Sequence, residues 1–467
     1  VKPHLPCSFK FHYLLFVIFI GFGLFSSYSS SATEPRLRDD ATKDRARGSL
    51  LGLAYGDSLG LLTETLTRDE ILMIYGESGL VSLDLQLPLG KIWDNLGERR
   101  FYQTRIPGFT SDDTQQAMAL LLVALNHRKW GDEATEEFSD LLVSGFEADA
   151  WRGYGKMFSG VAEKLKRGVN YRASGSASSG IGAAMRVAPL AGLLDWSDSD
   201  LALAAVTSSL VTHADIRAAA MSFAVFSAAR MFVLGKTAAQ IREALPREVR
   251  AIELYLIGQL TSSMNKVAGI AGQLNQPGWP FDQAWPFDQT DLHSVSEVLG
   301  EVLQWAGGLQ ISHMEISDFV VKKAGPYVES NFRRHIHPNN PFVLLGGVHA
   351  LALALQDHAD PLEILRYIVN LGDDTDTVAA IAGGLLGARF GTDWIPATEL
   401  VDQWRIEQYA NSLISGVPPE DSYAFLEREA RLTQAEQPFQ KNKLAEWKAN
   451  GCRVLVVLPG ISIPIAK

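Results

Sequence analysis

The sequence predicts an all-α protein, a single compact bundle domain of about 12 to 16 helices. Three observations lead there. Windows dominated by strong helix formers recur, as in Asp113 to Leu125, Ala214 to Leu234 and Asp374 to Phe390. Runs alternating Val, Ile and Thr are nearly absent before residue 450. Gly and Ala are frequent inside apolar segments, as in Ala382-Gly383-Gly384 and Gly387-Ala388. Glycine costs about 1 kcal/mol in a helix interior. Close helix–helix approach is the usual reason for tolerating it, and a ligand against the backbone is the rarer one.

Along the chain, residues 1–32 stand apart. Lys2 and Lys10 flank the start of an apolar run, Phe11 to Phe25, and small residues follow from Ser26 to Ala32. This is the pattern of a secretory signal, and the run is short for a spanning helix, which needs about 20 residues. An uncleaved anchor, or an upstream tail from a misplaced start codon, is the alternative. A genuine signal implies export to a periplasm or the exterior, with no stable membrane association after cleavage; otherwise the protein is expected in the cytoplasm. The two cysteines are Cys7 and Cys452, so a cleaved chain has no intrachain disulfide and no cysteine-based zinc site.

Residues 33–416 carry the helical pattern of the expected catalytic domain. Within them, 276–290 reads as a surface insertion, with WPFDQ twice, at Trp279–Gln283 and Trp285–Gln289. It either decorates a rim or forms a lid. Residues 417–467 form a C-terminal extension: a charged helical segment, then VLVVLPGISIPI as a short strand, with nothing that suggests chemistry. The 467 residues are 47% apolar and 20% charged, an ordinary globular balance, and the net charge is −11. A chain this acidic has no global electrostatic reason to bind nucleic acid. Acids clustered in a cleft instead suit divalent cations.

Four segments carry the chemistry: Gly56-Asp57-Ser58-Leu59-Gly60 followed by Glu64; Ser111-Asp112-Asp113-Thr114; Gly180 to Pro189, GIGAAMRVAP; and Asp373-Asp374-Thr375-Asp376-Thr377. The second and fourth put carboxylates and hydroxyls just before an apolar helix. Capping explains one or two acids at a helix start. It does not explain three in four residues, which repel unless a cation sits among them. Carboxylates, hydroxyls and water are the donors that magnesium and calcium prefer.

The order GD-x-LG…E, SDDT, G-x-G-x-x-MR-x-AP, then D-x-DT followed by VAAIAGGLLGA resembles the ADP-ribosylglycohydrolase family, from about Gly48 to Trp404. That family includes dinitrogenase reductase-activating glycohydrolases and hydrolases of ADP-ribosyl-arginine and ADP-ribosyl-serine. The resemblance implies an all-α fold with two Mg2+, sometimes Mn2+, held here by Ser111, Asp112, Asp113, Asp374, Asp376 and Thr377. Ser111 stands where the family has threonine, and Asp373 where it usually has glycine. Glu64 matches a catalytic glutamate near the reacting ribose, with Asp112 and Asp113 beside it. Ser179, Gly180, Gly182, Met185 and His213 match the substrate-binding positions. The glycines are expected to free the backbone for an anion site suited to a pyrophosphate, and Arg186 to be a structural anchor. Ile181 replaces a family asparagine. The aspartate that serves as base in arginine-specific members has no counterpart in Lys156–Gly160.

The implied activity is hydrolysis of the bond between ADP-ribose and an acceptor, by a chain expected to be monomeric. The partner is an ADP-ribosylated protein or another ADP-ribose conjugate. Two rivals stand beside it: a hydrolase of the same fold acting on another ribosyl or nucleotide compound, and a non-enzymatic relative of the crystallin kind.

Overall fold

A computed structural model describes residues 39–83, 105–261, 294–307, 311–332, 336–358 and 360–450. The N-terminal signal, the 276–290 insertion and the C-terminal strand expected from sequence lie outside these residues.

The chain is helical throughout this range, with isolated bridges and no strand among the described residues. It opens with α1 (Asp40–Leu61) and the short α2 (Arg68–Tyr75), then α3 (Asp112–His127), α4 (Asp132–Glu147), α5 (Lys156–Lys166) and the single turn α6 (Tyr171–Ser174). Two 3-10 turns, Ile181–Arg186 and Ala188–Gly192, lead into α7 (Asp198–Thr212), α8 (Ile216–Val233) and α9 (Ala238–Thr261). Next come α10 (Val295–Ala306), α11 (His313–Ala324), a π turn running into α12 (Val348–Ala354), and α13 (Pro361–Val369). The last three are α14 (Thr375–Phe390), α15 (Gln403–Ser415) and α16 (Phe425–Asn450). The helix-former windows read from sequence correspond to α3, α8 and α14.

Local chemistry sets the boundaries. Asp39, Ser111, Ser197, Asp215, Ser294 and Asp360 each accept a first-turn N–H as N-caps. Thr67 with Glu70, and Ser312 with Glu315, close reciprocal capping boxes. The core runs through α1, α8 and α14. α8 is long and apolar enough to cross a membrane, but 94% of it is buried inside the protein, as expected of a core helix.

The most extensive helix pair is α1 with α14. Gly48, Gly52 and Gly56 recur every four residues on α1, the spacing of one helix face. They meet Gly387, Gly383 and Ala379 on α14 so closely that a Cβ on any of the three would strike a backbone carbonyl across the interface. This close approach accounts for the interior glycines. It also carries the C-terminal end of α1, with Asp57 and Glu64 near it, onto the N-terminus of α14. Thr375 Oγ1 ties the two by donating to Gly60 O at 2.8 Å and accepting from Thr63 Oγ1 at 3.1 Å.

The C-terminal extension does not stand apart from the body. Phe425, Glu429, Leu432, Thr433 and Glu436 are all buried on α16. Their spacing puts them on one face. Glu429 sits between Arg152 Nη1 at 3.0 Å and Arg405 Nη1 at 2.6 Å.

Candidate active site

Two helix N-termini from distant parts of the sequence meet at the centre. On α3, Ser111 is the N-cap: its hydroxyl accepts from Asp113 N at 3.1 Å and donates to Asp113 Oδ2 at 2.9 Å. Asp57 on α1 reinforces this start, accepting from Ser111 N at 3.0 Å and Thr114 N at 3.1 Å. Asp112 is fixed at both ends. Its N–H donates to Arg152 O at 2.6 Å, and its Oδ2 accepts from Gln116 Nε2 at 2.7 Å. Arg186 backs Gln116, donating to Gln116 Oε1, Ser208 O and Thr212 Oγ1 while lying over the Phe138 ring. It is fully buried behind the cluster, the structural anchor expected from sequence.

On α14, Asp374 precedes the first turn, its N–H bonded to Asn339 O at 3.2 Å. Asp376 and Thr377 follow in that turn, both buried. Asp374 and the Thr377 N–H offset part of the rise that burial causes in the Asp376 pKa. Asp376 is the strongest neighbouring charge acting on Asp112, Asp113, Asp374 and Glu64, so these groups form one electrostatic unit. Burial, then repulsion from Asp376, pushes all four carboxyls well above their ordinary range. Asp57 rises to about 6, mainly through burial, its hydrogen bonds from Thr114 and Ser111 holding it back.

These residues fit a hard divalent cation. Asp113 Oδ1 and Asp376 Oδ1 are buried oxygens with no hydrogen-bond partner, and unpaired buried acceptors are costly. Among the described residues, no three His, Cys, Asp or Glu side chains are gathered tightly enough to chelate a cation by themselves. Hydroxyls such as Ser111 and Thr377, with water, complete shells of this type.

Asp373 differs from its neighbours. It takes a left-handed backbone with φ 70, after Gly372 at φ 86. Glycine is the easy occupant of such a position, which accounts physically for the glycine usual in the resemblance. The Asp373 carboxylate is part-exposed and lies 3.8 Å from His337 Nδ1.

The glycine-rich segment brings the candidates Gly180, Gly182 and Met185 beside His213. Ser176 bridges to His213 and Gly180 to Phe342. Gly180 has φ −76, an ordinary value, and Gly182 is not among the left-handed glycines. Both glycines lie beside His213, at distances where an added Cβ would make ordinary contact with the ring. A Cβ on Gly180 would lie 3.6 Å from His213 Nε2, and one on Gly182 3.5 Å from it, with Met185 Sδ 4.0 Å from the latter. Two backbone N–H groups of the segment are already engaged: Gly180 N donates to Ser178 Oγ at 3.2 Å and Ile181 N to Pro341 O at 2.8 Å. Both N–H groups are spent, and the turn that follows is a six-residue 3-10 helix rather than a full α-helix. Two polar side-chain atoms here are Ser179 Oγ, buried without a partner, and His213 Nε2 beside the glycines. His213 Nδ1 bonds Thr212 Oγ1 at 2.9 Å. Burial, then Arg186, lowers its pKa to about 3, so the ring is neutral at physiological pH. The side chain of Ile181 is buried against the π turn near Gly346.

Glu64, just past α1, is part-exposed and faces Asp376, Arg105, Asp112 and Asp57. Sequence reasoning assigned no role to Asp57, Gln116, Arg105 or Arg152. Asp57 was visible inside the GD-x-LG segment. The other three carry no motif, and only the fold reveals what they touch. The Lys156–Gly160 stretch is the start of α5, and the preceding Gly153 borders Ser111 and Asp112.

Comparison with known proteins places the chain in a family. Residues 38–422 match the family model described as ADP-ribosylglycohydrolase. An uncharacterized protein of Archaeoglobus fulgidus is 31% identical over 214 residues, 46% of this chain and 64% of that relative, so less than two thirds of the relative is spanned. A solved structure titled ADP-ribosylglycohydrolase-related protein complex is 23% identical, covering 81% of this chain and all of that one at a TM-score of 0.49. The family match spans most of the chain and includes all four acidic and glycine-rich segments of the site. The chain therefore belongs to the ADP-ribosylglycohydrolase family, a family of all-α glycohydrolases.

Proposed function

We propose that this protein is a magnesium-dependent hydrolase of the glycosidic bond joining ADP-ribose to an acceptor, either a protein side chain or a small molecule. The observation that carries this reading is the convergence of Ser111–Asp113 and Asp374–Thr377 into one acidic cluster, buried except for the half-buried Asp374. Ser111, Asp112, Asp113, Asp374, Asp376 and Thr377 would hold two Mg2+, with Mn2+ as the alternative. Such ions polarise sugar oxygens and lower the pKa of a water.

The chain's own residues orient the substrate and move the proton. Glu64 has a carboxyl of raised proton affinity, the property wanted in a group that takes a proton from water near neutral pH. Asp112 and Asp113 supply fixed negative charge beside a sugar that becomes oxocarbenium-like in the transition state. Ser179 Oγ and His213 Nε2 would bond the ribose and phosphate oxygens, with Met185 against the same surface. A neutral His213 donates to an anion only as the Nε2–H tautomer, which requires Nδ1 to accept from the Thr212 hydroxyl.

The test is a panel of ADP-ribosyl-arginine, ADP-ribosyl-serine, poly-ADP-ribose and free nucleotides, with and without Mg2+, beside calorimetric Mg2+ titration. Turnover of an ADP-ribose conjugate that stops on chelation is expected. Calorimetry without any Mg2+ binding would make the chain a structural relic, and turnover of nucleotides alone would move it to another substrate class.

Two further outcomes follow from the electrostatics. Glu64→Gln should lower kcat by about 10²–10⁴-fold, with Mg2+ affinity in calorimetry within a fewfold of wild type. Unchanged kcat would remove Glu64 from the reaction. The second concerns pH. A carboxyl whose folded pKa is raised is favoured by the fold in its protonated form, so it withdraws stability as pH rises through the folded value, about 6 for Asp57. Chelator-treated protein should therefore melt lower at about pH 7.5 than at about pH 6, while His213 and His349 stay neutral throughout. Saturating Mg2+ should shrink the difference, because cation and protons compete for the oxygens of Asp112, Asp113, Asp374 and Asp376 beside Asp57. A melting point that rises over that interval without metal would contradict the assignment.

A further inference from the structure

We propose that Arg105, held by Glu436 of the C-terminal helix α16, is a specificity-determining cation of the cleft that selects against a positively charged acceptor and for one linked through oxygen. This rests on the reading above, in which the bond to the acceptor breaks at the acidic cluster.

Arg105 Nη1 lies 2.9 Å from Glu436 Oε2, and the two side chains are 16% and 5% exposed. The guanidinium is therefore a nearly buried group. Its other neighbouring charges are Glu64 and Asp376, the candidate base and the centre of the cluster. Gly153 locates its tip. A Cβ placed there would be 3.4 Å from Ser111 Cβ, 3.6 Å from Arg105 Nη2 and 3.8 Å from Asp112 Oδ1. The guanidinium and a candidate metal-binding carboxylate thus flank the same point.

α16 holds this arrangement rigidly. Glu429 is pinned between Arg152 and Arg405, and Thr433 Oγ1 donates to Ala150 O at 2.8 Å, one turn before Glu436. The family match ends at residue 422, before this helix begins. The guanidinium is therefore supported from outside the family-matched region, and Glu436 is a positioning residue.

The chemistry follows from charge. Arginine stays protonated at any physiological pH. An arginine-linked conjugate carries its own guanidinium on the anomeric carbon, and two such cations in a water-poor cleft repel. An acceptor joined through oxygen is neutral. Water adds its oxygen to the anomeric carbon, the carbon–acceptor oxygen bond breaks, and the acceptor oxygen takes up a proton to leave as an alcohol.

The experiment measures kcat and KM for ADP-ribosyl-serine and ADP-ribosyl-arginine with Mg2+, in wild type, Arg105→Met, Glu436→Gln and the double variant. Thermal melting and inhibition by free ADP-ribose are read alongside. Wild type should favour the serine conjugate by more than tenfold in kcat/KM. Arg105→Met should shrink that preference at least about tenfold, an effect of about 1.4 kcal/mol, with the ADP-ribose inhibition constant unmoved. Glu436→Gln should shift the preference the same way, and add nothing in the Arg105→Met background, because it acts through the guanidinium. A preference unchanged in Arg105→Met, or a wild type that favours the arginine conjugate, overturns the assignment of Arg105. An additive double variant overturns the positioning role of Glu436. A wild type that binds Mg2+ but cleaves neither conjugate removes the underlying reading instead.

Discussion

Asp376→Asn or Asp113→Asn should abolish magnesium-dependent turnover, a loss of at least about a thousandfold, and yet raise the melting temperature of the metal-free protein. The two effects have one origin. Asp376 dominates the field felt by Asp112, Asp113, Asp374 and Glu64, and all of these lie above their ordinary pKa because of burial and mutual repulsion. Asp113 Oδ1 and Asp376 Oδ1 have no hydrogen bond to lose. Removing one negative charge therefore relieves repulsion at little structural cost, by an expected ~1 kcal/mol or more. The same change removes an anionic oxygen from the candidate cation shell. Calorimetry should show Mg2+ affinity reduced or lost, and thermal melts with chelator should show the gain in stability. A variant that loses activity and stability together would mean that these carboxylates serve the fold; one that retains turnover would end the two-metal reading.

Gly383→Val should unfold the protein or destabilise it by at least about 3 kcal/mol. A Cβ at Gly383 would overlap Gly52 O, lie 2.9 Å from Gly52 C and come within 3.4 Å of Gly56 Cα. All three are backbone atoms of α1, so relief requires the helices to separate. Separation would also pull the Asp57 end of α1 from the start of α14. Site and fold fail together, and loss of soluble protein or a large drop in the melting midpoint is the readout. Gly160 on α5 is the control. It is exposed, with nothing within 4 Å of an added Cβ. Gly160→Ala should therefore stabilise the protein, by about 1 kcal/mol. Equal behaviour of the two variants would refute the backbone-contact argument.

Much of this was legible in the residues. The apolar windows place α3, α8 and α14, because helix propensity and burial act on contiguous stretches. The interior glycines announce a close helix pair, although not which helices form it. The crowding of Asp373, Asp374 and Asp376 marks a site because that many charges exceed what capping needs. The glycine-rich turn reads in the sequence as a candidate ligand-facing element, but the partners of its backbone are not legible there. The N–H groups of Gly180 and Ile181 donate to Ser178 Oγ and Pro341 O, and a turn's hydrogen-bond partners are set by what packs beside it. The extension after Gly416, which carried no motif, supplies Glu429 and Glu436 to buried charge pairs.

What the linear chain determined by itself is local: where helices start, which faces are apolar, and which oxygen-bearing side chains gather within a few residues. Those depend on neighbours a turn away. Tertiary structure alone decided that Asp57 clamps the start of α3, that Arg186 backs Asp112 through Gln116, and that Arg105 meets Glu436 across more than 300 residues of chain. Charge acts through space rather than along the backbone, so the meaning of a carboxylate or guanidinium is settled only when packing fixes what faces it.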